Sequence, residues 1–94
     1  MTLTIAGITF DQVVYDRDAD VLYLHVGDPS TAVAFDESPE GHAIRLDQQG
    51  RIVGVTLLRP RHEVERGHPV TVTLRKPERI TIDPVALTSA LHAA

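Results

Sequence analysis

His62-Glu63-x-Glu65-x-x-His68 is the stretch of this 94-residue chain whose residue types could hold a metal ion and activate a water. A zinc hydrolase sets two histidines four apart on one helical face, with a glutamate beside the first as general base. Here the histidines are six apart, and Gly67-His68-Pro69 breaks a helix at the second. A third ligand would have to come from His25, His42 or His92. No dedicated metal site and no cofactor are therefore expected, and a metal-assisted hydrolase would have to use His62, Glu63 and His68. Asp16-x-Asp18-x-Asp20 opens like a calcium loop, but the positions an EF-hand fills with Gly and Glu hold Val21 and Gly27. A solvated acidic turn is the expectation there. Ser30 and Ser38 sit in turn sequences and Ser89 near the end of the chain, none in a Gly-x-Ser-x-Gly elbow with a base beside it. Gly50-Arg51-Ile52-Val53-Gly54 lacks the Gly-Lys-Ser/Thr ending of a phosphate loop. The chain has no cysteine, which excludes a thiol nucleophile, thiolate metal ligands and disulfides. No catalytic residue is assigned, and an enzyme is not expected.

Charge points to protein contacts rather than to nucleic acid or membrane. The formal net charge is −4. Residues 1–50 carry nine acids and two arginines, while residues 51–94 carry four acids and seven bases. Arg59, Arg61, Arg66, Arg75, Lys76 and Arg79 form a dispersed basic set, but Phe10, Tyr15, Tyr23 and Phe35 all lie in the acidic half. A single-strand nucleic-acid surface would interleave aromatics with the bases. Acid–base pairing within the fold, or with a basic protein partner, is the simpler account. No apolar run approaches the roughly 20 residues of a membrane span. The opening Met1-Thr2-Leu3-Thr4 lacks the basic and apolar regions of a signal peptide, so a cytoplasmic location is expected.

The elements that would position these groups are short strands. Turn sequences recur at Ala6-Gly7, Asp16 to Asp20, Gly27 to Ser30, Ser38 to Gly41, Gln48 to Gly50 and Gly67 to Pro69. Runs rich in Val, Ile, Leu, Thr and Tyr between them predict strands near 2–5, 8–15, 21–26, 31–36, 42–47, 51–58, 70–75 and 79–82. Ile52 to Leu58 is apolar on both faces apart from Thr56 and reads as a central strand covered on two sides. Gly54 within it marks a bulge, a bend or a close approach of another backbone. Asp83-Pro84 opens a terminal helix, with Asp83 as N-cap and Leu87 and Leu91 on one face. The polar segment 59–69 reads as a connection. Together these give a single mainly β (α+β) domain over residues 1–94: an antiparallel meander or roll of about six to eight short strands with one short C-terminal helix.

Two ordered motifs carry a resemblance. Val14-Tyr15-Asp16-Arg17-Asp18-Ala19-Asp20-Val21-Leu22-Tyr23-Leu24 fits hydrophobe, Tyr-Asp, three residues, Asp, one residue, Leu-Tyr-hydrophobe. Leu46 to Leu58 fits a strand, a Gly-containing turn, then a Gly-interrupted apolar strand. In this order and spacing they resemble the small bacterial family called domain of unknown function 2283, over about residues 13–61. The resemblance implies a small antiparallel β-domain and no established activity, cofactor or catalytic residue. The chain departs from the family at Gln49 and Thr56, where members often carry acids. Both motifs read as structural through Tyr15, Asp16, Asp20, Tyr23, Gly50 and Gly54. Asp16 and Asp20 should bond nearby backbone N–H groups, Tyr15 and Tyr23 should pack as a cross-strand pair, and Gly50 should take a positive φ.

The expected function is a non-enzymatic protein–protein interaction or assembly domain, with an antitoxin-like role against a basic partner as one specific form. A homodimer is expected, because short sheets leave edges to protect and one helix covers only one face of Ile52–Leu58. Its interface would use Val53, Val55 and Leu57, or the helix face Leu87 and Leu91.

Overall fold

The computed structural model describes residues 1–93 of the chain. Turn chemistry divides it into nine strands among those residues, all paired antiparallel. β1 (Leu3–Ile5) and β2 (Ile8–Phe10) form a hairpin. β3 (Gln12–Asp16), β4 (Val21–His25), β5 (Ala34–Glu37), β6 (Ala43–Leu46) and β7 (Ile52–Leu58) form one sheet in the order β3-β4-β7-β6-β5. β8 (Thr71–Arg75) and β9 (Glu78–Thr81) form a second hairpin, and α2 (Pro84–Ala93) closes the chain. The expected run 8–15 is two strands in different sheets, parted at Asp11, whose carboxylate accepts the Gly27 N–H at 2.8 Å. The polar segment 59–69 is also more than a connection: α1 (Pro60–Glu65) lies within it.

Burial sorts the two faces of the large sheet. Tyr15, Leu22, Leu24, Ile44, Val55 and Leu57 point inward and are buried. Leu3, Ile5, Phe10, Val70, Val72, Ile82, Leu87, Ala90 and Leu91 complete the same core from the two hairpins, the loops beside them and α2. Each such side chain removed from water contributes about 1.5–3 kcal/mol when fully buried. The domain thus has two layers, with the hairpins and α2 over one face of the sheet. No helix among the described residues is long and apolar enough to cross a membrane.

β7 corrects the reading of a strand covered on both sides. Leu46 stands opposite Ile52 and Arg45 opposite Gly54, so Val53 is one residue too many against β6. Such a bulge breaks the period of two. Ile52 and Val55, three apart, both turn inward, whereas Gly54, Thr56 and Leu58 turn outward. The run looks apolar on both faces because the alternation changes phase inside it.

Candidate functional site

Asp20 accepts three hydrogen bonds through its carboxylate, two of them from a distant part of the chain. Its backbone and that of Arg59 are both left-handed, φ 54° each, and the Asp20 carbonyl accepts the Arg59 N–H at 2.8 Å. One carboxylate oxygen accepts the Tyr15 hydroxyl at 2.8 Å and the Arg61 N–H at 3.0 Å; the other accepts the His62 N–H at 3.0 Å. Arg59 holds the N-cap position of α1 but makes no side-chain capping bond, and the Asp20 carboxylate caps the helix in its stead from about 40 residues away. Burial works to raise its pKa, and the Tyr15 hydroxyl with the Arg61 and His62 N–H groups outweighs it, holding the carboxyl below the usual range. All its partners belong to the fold, so Asp20 acts as a clasp.

Glu40 and His42 line a second polar cleft, of about 350 Å³, with Arg59, Glu63 and Thr71. Glu40 accepts the Thr73 N–H at 2.9 Å and the Thr73 hydroxyl at 2.7 Å, and Arg79 Nε lies 3.5 Å away. Burial would raise the Glu40 pKa, but the Thr73 bonds bring it down to about 2. Glu40 thereby ties the β5–β6 turn to the β8–β9 hairpin. His42 is buried, and its Nδ1 accepts the Leu58 N–H at 3.1 Å. Burial lowers its pKa, against the Glu40 charge, the Thr71 carbonyl and Glu63. The cleft thus holds an imidazole whose Nδ1 accepts a backbone N–H and a carboxylate bonded to Thr73.

The outward face of the large sheet is bare. Its register forms rows across all five strands. One row runs Gln12, His25, Gly54, Arg45, Phe35; the next runs Val14, Tyr23, Thr56, Ala43, Glu37. Val14 is 59% exposed, Tyr23 43%, Leu58 45% and Phe35 71%, all on this one side. The Arg45 guanidinium stacks 5.3 Å from the Phe35 ring centroid. Gly54 is required by close approach: a Cβ there would lie 2.9 Å from His25 Cδ2 and 3.1 Å from Arg45 Cβ. His25 and Arg45 close over it from either side. Beside them lies a hollow of about 220 Å³, lined by Gln12, Val14, Tyr23, His25, Pro29, Arg45 and Thr56 among others. His25 Nδ1 bonds the Val26 carbonyl at 3.0 Å, and its Nε2 is buried with no hydrogen-bond partner among the described residues. A buried acceptor left so costs about 1–3 kcal/mol.

The structure separates several residues that the sequence suggests belong together. Val55, Leu57, Leu87 and Leu91 stand inside the core of one chain, where they are not presented to a partner, and Val53 is the half-buried bulge residue. Tyr15 and Tyr23 do not pair. Tyr15 is opposite Leu22 and Val14 opposite Tyr23, which sends the two rings to opposite faces. Asp16 does bond the nearby Asp18 and Ala19 N–H groups, whereas Asp20 reaches across to α1. Gly50 has φ 78°, as its turn requires, with Asp47 accepting the Gln49 and Arg51 N–H groups. Glu63 Oε2 lies 3.2 Å from His68 Nδ1, while His62 is exposed on α1. No group of three or more His, Asp or Glu among the described residues is placed to hold a metal ion. Sequence reasoning missed Glu40, His25, Arg45 and Phe35; the readable sign of the last three was Gly54, whose missing side chain makes room for its neighbours.

The family described as protein of unknown function (DUF2283) matches residues 12–59, which run from the first residue of β3 to one past the end of β7. The match therefore spans the large sheet with both its faces. No curated protein and no solved structure matches the chain.

Proposed function

The chain belongs to this family of unknown function, and from that premise we propose that it is a non-enzymatic assembly domain that pairs with a second copy of itself through the bare face of its five-stranded sheet. The observation that carries the reading is the gathering of Val14, Tyr23, Phe35 and Leu58, all exposed, on one side of one sheet. Five strands about 4.8 Å apart and three side-chain rows about 7 Å apart give a face of roughly 400 Å². Exposed apolar side chains gathered on one face and rimmed by polar groups, here Gln12, Arg45 and Glu37, are a feature of interaction surfaces. Two such faces, with side-chain relief added, bury on the order of 1,000 Å², the floor for a specific interface. Neither an antitoxin-like role nor hydrolysis at His62, Glu63 and His68 has a comparable feature behind it.

Light scattering across micromolar concentrations tests the proposal. The expected mass is twice that of one chain and falls on dilution. A mass of 10.3 kDa at every concentration would sink it.

A further inference from the structure

We propose that the two copies meet about a two-fold axis running along β7, and that Phe35 of each copy seats in the hollow beside His25 of the other; this rests on the self-pairing reading above. Two in-plane axes could bring the bare faces together. An axis along the strands keeps each row over itself and exchanges the sheet's two edges. An axis across the strands keeps each strand over itself and exchanges the rows.

Side-chain size and charge choose between them. With the axis along β7, Gly54 faces Gly54, Thr56 faces Thr56, and Tyr23 of one copy lies over Ala43 of the other. Phe35, on the β5 edge, then lies over Gln12 on the opposite β3 edge, where the hollow opens. Arg45 of one copy lies over His25 of the other and Val14 over Glu37, while the bulky Tyr23 meets a small side chain and the protruding Phe35 ring meets a cavity. Packed sheets keep their strands within about 30° of each other, which this axis allows. With the axis across the strands through the Thr56 row, Glu37 would face Glu37, and juxtaposed like charges disfavour it. Phe35 would also have no cavity opposite it.

The size of the hollow decides for a side chain over a free ligand. At about 220 Å³ it is below the roughly 300–1,000 Å³ of small-molecule sites, yet it admits one aromatic ring. Phe35 is the most exposed aromatic in the chain and already stands on this face. Its removal leaves the monomer core untouched.

The absence of cysteine makes the geometry directly readable with single-cysteine variants and a short thiol-to-thiol bismaleimide. Val14 and Glu37 lie at opposite ends of one row, about 19 Å apart within a chain. The proposal expects Val14→Cys mixed and equilibrated with Glu37→Cys to give a mixed cross-linked pair, and Val14→Cys alone to give none. It also expects Phe35→Ala, with unchanged circular dichroism, to raise the dimer Kd about tenfold or more, and Phe35→Tyr to restore most of the affinity. Self-linking of Val14→Cys, no mixed link in a dimeric sample, or an unaltered Kd for Phe35→Ala would overturn this seating while leaving self-pairing intact. A wild-type mass of one chain at all concentrations would remove both.

Discussion

Three residues do work that their types alone do not announce. Asp20→Asn keeps a residue tolerant of the left-handed backbone but removes the charge and one strong acceptor. We expect a loss of about 1.5–3 kcal/mol in urea unfolding, the scale of hydrogen bonds to a charged group. Amide exchange at His62 to Arg66 should quicken in the same variant, because α1 loses its cap. Glu40 gives a pH dependence with a defined sign. Its carboxyl is lowered from 4.5 to about 2 in the fold, so its contribution is fully present above pH 4.5 and is lost as pH falls toward 2. At about 1.4 kcal/mol per pKa unit this is about 3 kcal/mol. Urea midpoints measured from pH 5 to pH 2 should fall more steeply for the wild type than for Glu40→Gln. Gly54→Ala places a methyl 2.9 Å from the His25 ring and 3.1 Å from the Arg45 stem, and should cost about 1–3 kcal/mol by overpacking. An unchanged midpoint would mean that His25 can move aside freely.

Elements were legible in the sequence where their signals are local. Asp83 caps α2 as its type and the following proline imply, accepting the Val85 N–H at 3.0 Å. Asp83→Ala should cost about 0.5–2 kcal/mol, with amide protection falling across residues 85–91. Gly50, the C-terminal helix and most of the strands were readable for the same reason. α1 was not, because its N-terminal N–H groups are satisfied by Asp20 from a different part of the chain, and the window around residue 60 offers Pro60 at the first helical position but no capping side chain before it. The inward set of β7 was hidden by the bulge at Val53, which lets residues of unlike parity share a face. The bare face was hidden for a related reason: Val14, Tyr23 and Phe35 come from separate strands, and only the pairing order brings them together.

The whole molecule is held by parts that lie outside the family match. Residues 12–59 contain the sheet, but Phe10, Val72, Leu87 and Leu91, which share the core with its inward face, all fall beyond that span. A 12–59 fragment would expose both faces of the sheet and should show no cooperative unfolding by circular dichroism. In the intact chain Phe10→Ala should cost about 3–5 kcal/mol, since Phe10 is completely buried. The acidic and basic halves meet inside the fold, through Glu40 with Arg79 and Asp20 with the start of α1. The bulge also governs how this chain can change length. Deleting Val53 would restore strict alternation while leaving Ile52, Val55 and Leu57 on the inward face, because Val53 is the residue that has no partner of its own on β6. A one-residue gap is thus absorbed at Val53, as it is in the exposed turn at Gln48 and Gln49, whereas losing Gly54 instead would move the Val53 side chain into the space that His25 and Arg45 close over. Homologous strands compared by hydrophobic alternation alone would slip by one position there; aligning the glycine that His25 covers, rather than the hydrophobic pattern, keeps them in frame.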